Sequence, residues 1–177
     1  MNTNTKEYKH SKGQYFTTDT TLQKCVVDFI KNNPKIILEP SMGRGDLVNC
    51  VSNKMPNVEF DMCELDTNII PLDSIDKDKI RYGDFLKLEL NKMYDTIIGN
   101  PPYLNYRTGN LYVDFIKKCF NLLNPNGELI FVVPTDLFKV SFASKVLHQM
   151  IEKGTFTDVY HPNKENLFEC ATVDVMV

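Results

Sequence analysis

Five short apolar runs constrain the fold of this chain more than any other feature: "KIILEP", "VEFDMCELD", "KIRYGDF", "YDTIIGN" and "ELIFVVP". Each is too short for a buried helix and each ends in a polar or turn residue, which reads as a strand closed by a loop. Between them lie stretches with helical spacing. "TTDTTLQKCVVDFIKNN" carries Leu22, Val26, Phe29 and Ile30 on one stripe, with cap candidates from Thr17 to Asp19. "DLVNCVSNKM" and "LYVDFIKKCFNLL" are further helices, the second stopped by "NPNG". "DLFKVSFASKVLHQMIEKG" reads as mostly helix closed by Gly154, and "FTDVYH" and "ATVDVMV" as two more strands. Strand and helix in alternation predict an α/β fold: a doubly wound, mostly parallel, seven-stranded sheet with helices on both faces.

At 177 residues the chain suits one domain with a real core. The polar first dozen residues are expected to be a mobile tail. No apolar run approaches the roughly 20 residues of a membrane span, and the N-terminus lacks the apolar segment of a secretory signal. The cysteines, Cys25, Cys50, Cys63, Cys119 and Cys170, are scattered and odd in number. Reduced thiols and a cytoplasmic setting are therefore expected, and no zinc site. His10, His148 and His161 are too dispersed for a metal centre and read as structural or surface residues. A net charge of −3 disfavours strong autonomous binding of nucleic acid.

In such sheets ligands lie beyond the carboxyl ends of the strands. "EPSMGRGD" follows the first strand, where Gly43 and Gly45 permit a tight turn and close approach of backbone to a ligand. The second strand ends at Glu64, about 20 residues on, where a carboxylate can take both hydroxyls of a ribose. After the third, Asp84 can accept from an adenine amino group and Phe85 can pack on the ring. These features describe a nucleoside site. The phosphate fingerprints are absent: there is no third glycine of GxGxxG and no GK[ST]. Glu39, Asp46 and Glu64 would repel a pyrophosphate and attract a cation. S-adenosyl-L-methionine, an adenosine bearing a sulfonium and an ammonium, meets both conditions.

The fourth strand ends in "GNPPY". An amine on an aromatic ring is a poor nucleophile, because its lone pair is delocalised. A catalyst needs acceptors that hold the two N–H groups and draw the nitrogen toward tetrahedral geometry. The amide oxygen of Asn100 can accept one bond. The rigid Pro101-Pro102 turn can aim the Pro101 carbonyl at the other. Tyr103, read as exposed, offers a face on which an extrahelical base can stack.

These motifs resemble the S-adenosylmethionine-dependent amino-group DNA methyltransferases, specifically the N6-adenine kind with an NPPY motif. "GQYFTT" resembles the family's first motif, which implies that Tyr15, Phe16 and Thr17 line the methionine end of the cofactor. "LEPSMGRGD" resembles the cofactor loop, adding Pro40 and Ser41 to Glu39, Gly43, Gly45 and Asp46. "CELD" resembles the ribose-binding strand end, adding Leu65 to Glu64, and "GDF" the adenine loop with Asp84 and Phe85. The resemblance implies catalysis by Asn100, Pro101, Pro102 and Tyr103, with Asn100 also beside the cofactor. It further implies an antiparallel last strand and one catalytic domain over residues 13–177. In the matching group a target-recognition domain follows. Val177 closes the chain inside an apolar run, so the natural protein or its complex is expected to continue. Weak binding of a flipped adenine in DNA by these residues, and a partner recognition domain or subunit, are expected accordingly. RNA, a protein glutamine amide, and a non-catalytic subunit role remain alternative readings.

Overall fold

The computed structural model describes residues 14–106, 109–162, 167–168 and 173–177. The expected N-terminal tail, Gly13 and Cys170 lie outside the described residues. Helix α1 (Thr20–Phe29) starts where Asp19, the N-cap, accepts from the backbone N–H groups of Thr21 and Leu22. There follow β1 (Ile36–Glu39), α2 (Asp46–Lys54), β2 (Glu59–Glu64), β3 (Ile80–Tyr82) and β4 (Tyr94–Gly99). A short hairpin, β5 (Asn105–Tyr106) with β6 (Gly109–Asn110), leads into α3 (Leu111–Phe120). The chain continues with β7 (Leu123–Phe131), β8 (Val133–Pro134), α4 (Ser141–Lys153) and β9 (Val175–Met176).

Strands β3-β2-β1-β4-β7 form one sheet in that order, every pairing parallel. Neighbouring residues on the inner strands serve opposite faces. Ile37, Ile98 and Ile130 join Leu22, Val26 and Val51 beneath α1 and α2. Leu38, Ile97 and Phe131 join Tyr112, Phe115, Ile116 and Leu147 beneath α3 and α4. With both faces covered, the inner strands are mostly apolar at their buried positions, which is why they read as runs rather than alternations.

The described part of the sheet is smaller than the seven strands expected. The antiparallel last strand is present as β9, which pairs with β8 at Val133–Met176 and Pro134–Val175. "FTDVYH" is not a strand. Tyr160 and Val177 exchange two backbone bonds of 2.8 and 2.9 Å, and His161 Nε2 lies 2.8 Å from Asp174 Oδ1, without a ladder forming. Phe156 and Val159 stay exposed, so little apolar burial favours extending the ladder. The β5–β6 hairpin was not anticipated, because a two-residue pairing leaves no periodic trace.

The β1–α2 turn sets the site's shape. Gly43 and Gly45 have φ of 57° and 87°, the left-handed region that favours glycine. A Cβ at Gly45 would lie 2.6 Å from Ile75 Cγ1, and one at Gly43 would lie 3.0 Å from Phe16 Cδ1. Gly45→Ala is expected to destabilise the fold by about 1–3 kcal/mol through strain and the clash. A urea titration checks this: an unchanged midpoint would contradict the close packing of Ile75.

Candidate active site

The carboxyl ends of β1 and β4 are adjacent at the centre of the sheet, and residues 15–17 lie across them. Tyr15, Phe16, Thr17, Glu39, Ser41, Gly43, Asp46 and Asn100 line one small cleft, with Met42 and Leu47. Eight residues singled out in the sequence thus converge. Met42 and Leu47 were missed, since an apolar lining residue looks like core in a sequence.

The cleft is acidic and partly desolvated. Glu39 is 2 % exposed, and its Oε1 accepts from the Ser41 N–H at 3.0 Å. Burial pushes its carboxyl up to about 8; the Ser41 bonds oppose that rise, while the charge of Glu64 adds to it. Its neighbour Pro40 is buried, and Gly99 leaves it room: a Cβ there would lie 3.0 Å from Glu39 Oε1. Asp46 is clasped by Arg44 through two bonds of 2.9 and 3.2 Å, and the Arg44 guanidinium lies 5.0 Å from the Phe16 ring centroid. Part of the negative charge inferred for this loop is therefore neutralised by an arginine within it.

Glu64 closes the turn from the second strand. Its Oε2 accepts from the Gly43 N–H at 2.8 Å and its Oε1 from the Asp66 N–H at 2.8 Å. Burial raises its carboxyl, and these backbone donors oppose the rise. A ribose would have to share or displace these donors. Leu65 beside it is 60 % exposed, an apolar surface at the strand end. Asp66, given no role in the sequence reading, is buried and accepts from Asn68. Asp84 lies outside the cleft, half-buried; it accepts from the Leu86 N–H at 3.1 Å and pairs with Lys87.

Two expectations need correction. Phe85 is 2 % exposed, and its ring packs on Phe115 at 5.0 Å with Lys118 Nζ 4.7 Å from its centroid. It is a core ring, so its face is not open to an adenine. Its position after the strand was visible in the sequence, but not the α3 residues that cover it. Tyr103 is not an exposed platform. Its ring lies 5.5 Å from Tyr15, tilted by 30°, and meets Tyr112 and Phe168 edge-on. Its hydroxyl bonds to Asn100 Oδ1 and reaches the Val132 carbonyl at 3.1 Å. Three aromatic neighbours and two acceptors draw it inward.

Asn100 stands at the end of β4 with its polar atoms engaged. Nδ2 donates to the Tyr15 carbonyl at 2.7 Å and to Thr17 Oγ1 at 3.1 Å, while Oδ1 faces the Tyr103 hydroxyl. Its backbone carbonyl accepts from Ser41 Oγ at 3.4 Å, which ties the end of β4 to the turn after β1. Pro101 is buried and Pro102 half-buried, so the turn is fixed by packing as well as by its rings. Among the described residues, no group of acidic, histidine or cysteine side chains could hold a metal ion, and no helix is long and apolar enough to cross a membrane. The described cysteines, Cys25, Cys50, Cys63 and Cys119, are free thiols.

A parallel sheet in this order, with an acidic cleft over its central strand ends, is the fold shared by S-adenosylmethionine-dependent methyltransferases. It superposes with a TM-score of 0.69 on a putative class I enzyme of that kind from Listeria monocytogenes, at 21 % identity over 91 % of this chain and 59 % of that one. Residues 49–168 match the Eco57I restriction-modification methylase family, and the chain belongs to that family. It is 32 % identical over 160 residues to the modification methylase CviBIII of Paramecium bursaria Chlorella virus NC1A, covering 78 % of this chain and 42 % of that protein. It is 25 % identical over 191 residues to the Type II methyltransferase M.HincII of Haemophilus influenzae, covering 96 % of this chain and 37 % of that protein. The chain therefore spans less than half the length of these curated relatives.

Proposed function

We propose that this chain is the catalytic part of a DNA methyltransferase that moves the methyl group of S-adenosylmethionine to the N6 amino group of adenine. One observation carries the reading: the amide oxygen of Asn100 is presented, on a diproline turn, beside a cleft suited to the cofactor. Asp46 in that cleft and Glu64 beside it suit the cofactor's sulfonium and ammonium, and Glu39 can add its charge by giving up its proton as the cation binds. Tyr15, Phe16, Thr17, Ser41 and Gly43 line it, Gly45 belongs to its turn, and Pro40, Leu65 and Asp84, which lie outside the lining, are assigned to the cofactor by the motif resemblance alone.

The cofactor supplies an electrophilic methyl group. The chain's residues act on the other partner. Asn100 Oδ1 accepts from one N–H of the target amine, and the Pro101 carbonyl, on its fixed turn, is the candidate acceptor for the second. Bonds that strengthen as the nitrogen becomes tetrahedral lower the barrier rather than merely tightening binding. In the free protein the Tyr103 hydroxyl holds the acceptor oxygen that the amine needs. That hydroxyl uses one of the two lone pairs of Oδ1, so the second can accept from the amine, and a turn of the tyrosine away would free its ring face to stack on the extruded base.

Two measurements test this. S-adenosylmethionine at 100 times its dissociation constant should add about 2.7 kcal/mol of stability, seen as a raised melting temperature. Absence of any thermal shift at millimolar ligand would contradict the cofactor assignment. Labelled cofactor offered with DNA, RNA or a glutamine-bearing release factor should place label in N6-methyladenine of DNA. Label in RNA or in glutamine would support the corresponding alternative, since each target is a planar NH2. Label in none of them would favour a non-catalytic role.

A further inference from the structure

The amide of Asn100 is held by a segment that precedes it by more than 80 residues in sequence. We propose that Thr17 is a positioning residue for this amide: together with the Tyr15 carbonyl, it fixes which end of the Asn100 side chain faces the target. The inference rests on Asn100 Oδ1 being the acceptor of the target amine.

An asparagine side chain presents two donors at one end and an acceptor at the other, and its last torsion is broad and roughly two-fold. Something must therefore choose between the two orientations. Here the Nδ2 protons meet the Tyr15 carbonyl at 2.7 Å and Thr17 Oγ1 at 3.1 Å. A backbone carbonyl can only accept. Turning the amide over would press Oδ1 against that carbonyl oxygen with no proton between them, so the Tyr15 carbonyl selects the orientation. Thr17 takes the second proton and holds the plane. It is 4 % exposed, so water does not readily replace its hydroxyl. The outcome is that Oδ1 faces a donor, the Tyr103 hydroxyl, and keeps a second lone pair for a target N–H. Tyr15 and Thr17 also line the cofactor cleft. One short segment thus serves the cofactor and aims the acceptor for the amine.

The test compares Thr17→Val, which keeps the shape and loses the hydroxyl, with Thr17→Ser, which keeps the hydroxyl. In methylation of adenine-containing DNA, Thr17→Val should lower kcat about tenfold, equivalent to about 1.4 kcal/mol and within the range for one hydrogen bond. Thr17→Ser should restore most of it. A role in cofactor contact alone would instead raise KM for S-adenosylmethionine and leave kcat unchanged, and that split would overturn the proposal. A second readout needs no turnover. In protein carrying 15N-labelled asparagine, the Asn100 side-chain amide, assigned by its loss in Asn100→Asp, should exchange its protons about tenfold faster in Thr17→Val, the same loss of one hydrogen bond. Unchanged exchange would show that Thr17 does not hold the amide. Absence of methylation by the unaltered protein on DNA, RNA and glutamine substrates would overturn the functional reading and the catalytic part of this proposal with it. Normal methylation with unaltered exchange and kcat in Thr17→Val would overturn the role of Thr17 alone.

Discussion

Asn100→Ala is expected to lower methyl transfer by roughly a hundred- to a thousand-fold, about 3–4 kcal/mol, by analogy with removing one donor from an oxyanion hole. The loss should fall on kcat and kcat/KM together, because the amide is asked to act as the nitrogen rehybridises. Cofactor affinity should change little. The acidic groups in and beside the cleft, Glu39, Asp46 and Glu64, belong to β1, α2 and β2, not to the end of β4. Asn100→Asp is the informative companion. It keeps an oxygen on the target side but places a second one against the Tyr15 carbonyl, where Nδ2 now donates at 2.7 Å. Retention of an acceptor therefore should not preserve activity. Steady-state kinetics with radiolabelled cofactor, beside calorimetric binding of the cofactor, separate these effects. Near-normal turnover in Asn100→Ala would mean that the turn at 100–103 is only structural.

The centre of the fold was legible because its physics is local. β1 and β4 are buried on both faces, so they must be short, continuous and apolar, and "IILE" and "TIIG" have no other plausible reading. The Asp19 cap and the left-handed glycines of the β1–α2 turn were likewise legible, since residue type and backbone conformation are tightly linked there. The edge of the sheet was not. Whether "FTDVYH" forms a ladder depends on a neighbour distant in sequence, and a single paired residue, Tyr160, leaves the same alternating pattern as a full strand.

The site divides in the same way. Residues that follow strand ends were found, because a doubly wound sheet places every such loop on one side. Their partners were not, because a motif names side chains and says nothing of what satisfies them. Tyr103 shows this best. As a ring after a diproline it looked exposed, yet Tyr15, Tyr112 and Phe168 surround it from elsewhere in the chain. Phe85 was misjudged for the same reason, as α3 covers it from beyond the next strand. The role of Thr17 had no sequence signal at all, since the bond that defines it spans 83 residues.

Stability should fall as pH rises from about 4.5 to about 8, and Glu39→Gln should abolish most of that fall. The buried carboxyl of Glu39 is pushed from its ordinary 4.5 to about 8. Below pH 4.5 it is protonated in both the folded and unfolded chains and has no effect. Between the two values the unfolded chain ionises while the folded one keeps its proton, so stability drains away as pH rises. Above 8 both forms are ionised and the loss levels off. Each tenfold fall in proton activity across this window costs about 1.4 kcal/mol, so the full effect is on the order of 5 kcal/mol. Glu39→Gln has no proton to lose and still offers Oε1 to the Ser41 N–H, so it should match the parent near pH 4.5 and exceed it near pH 8. Urea unfolding at several pH values checks both curves. The same group gives a second signal. If the cation of S-adenosylmethionine lies beside Glu39, it stabilises the carboxylate, and binding near pH 7 should release up to one proton. Calorimetry in buffers of different ionisation enthalpy measures that release directly, and Glu39→Gln should show none. Parallel pH profiles for the two proteins, with no proton released on binding, would mean that Glu39 is already ionised in the folded chain and that the cleft meets its ligand with its full negative charge.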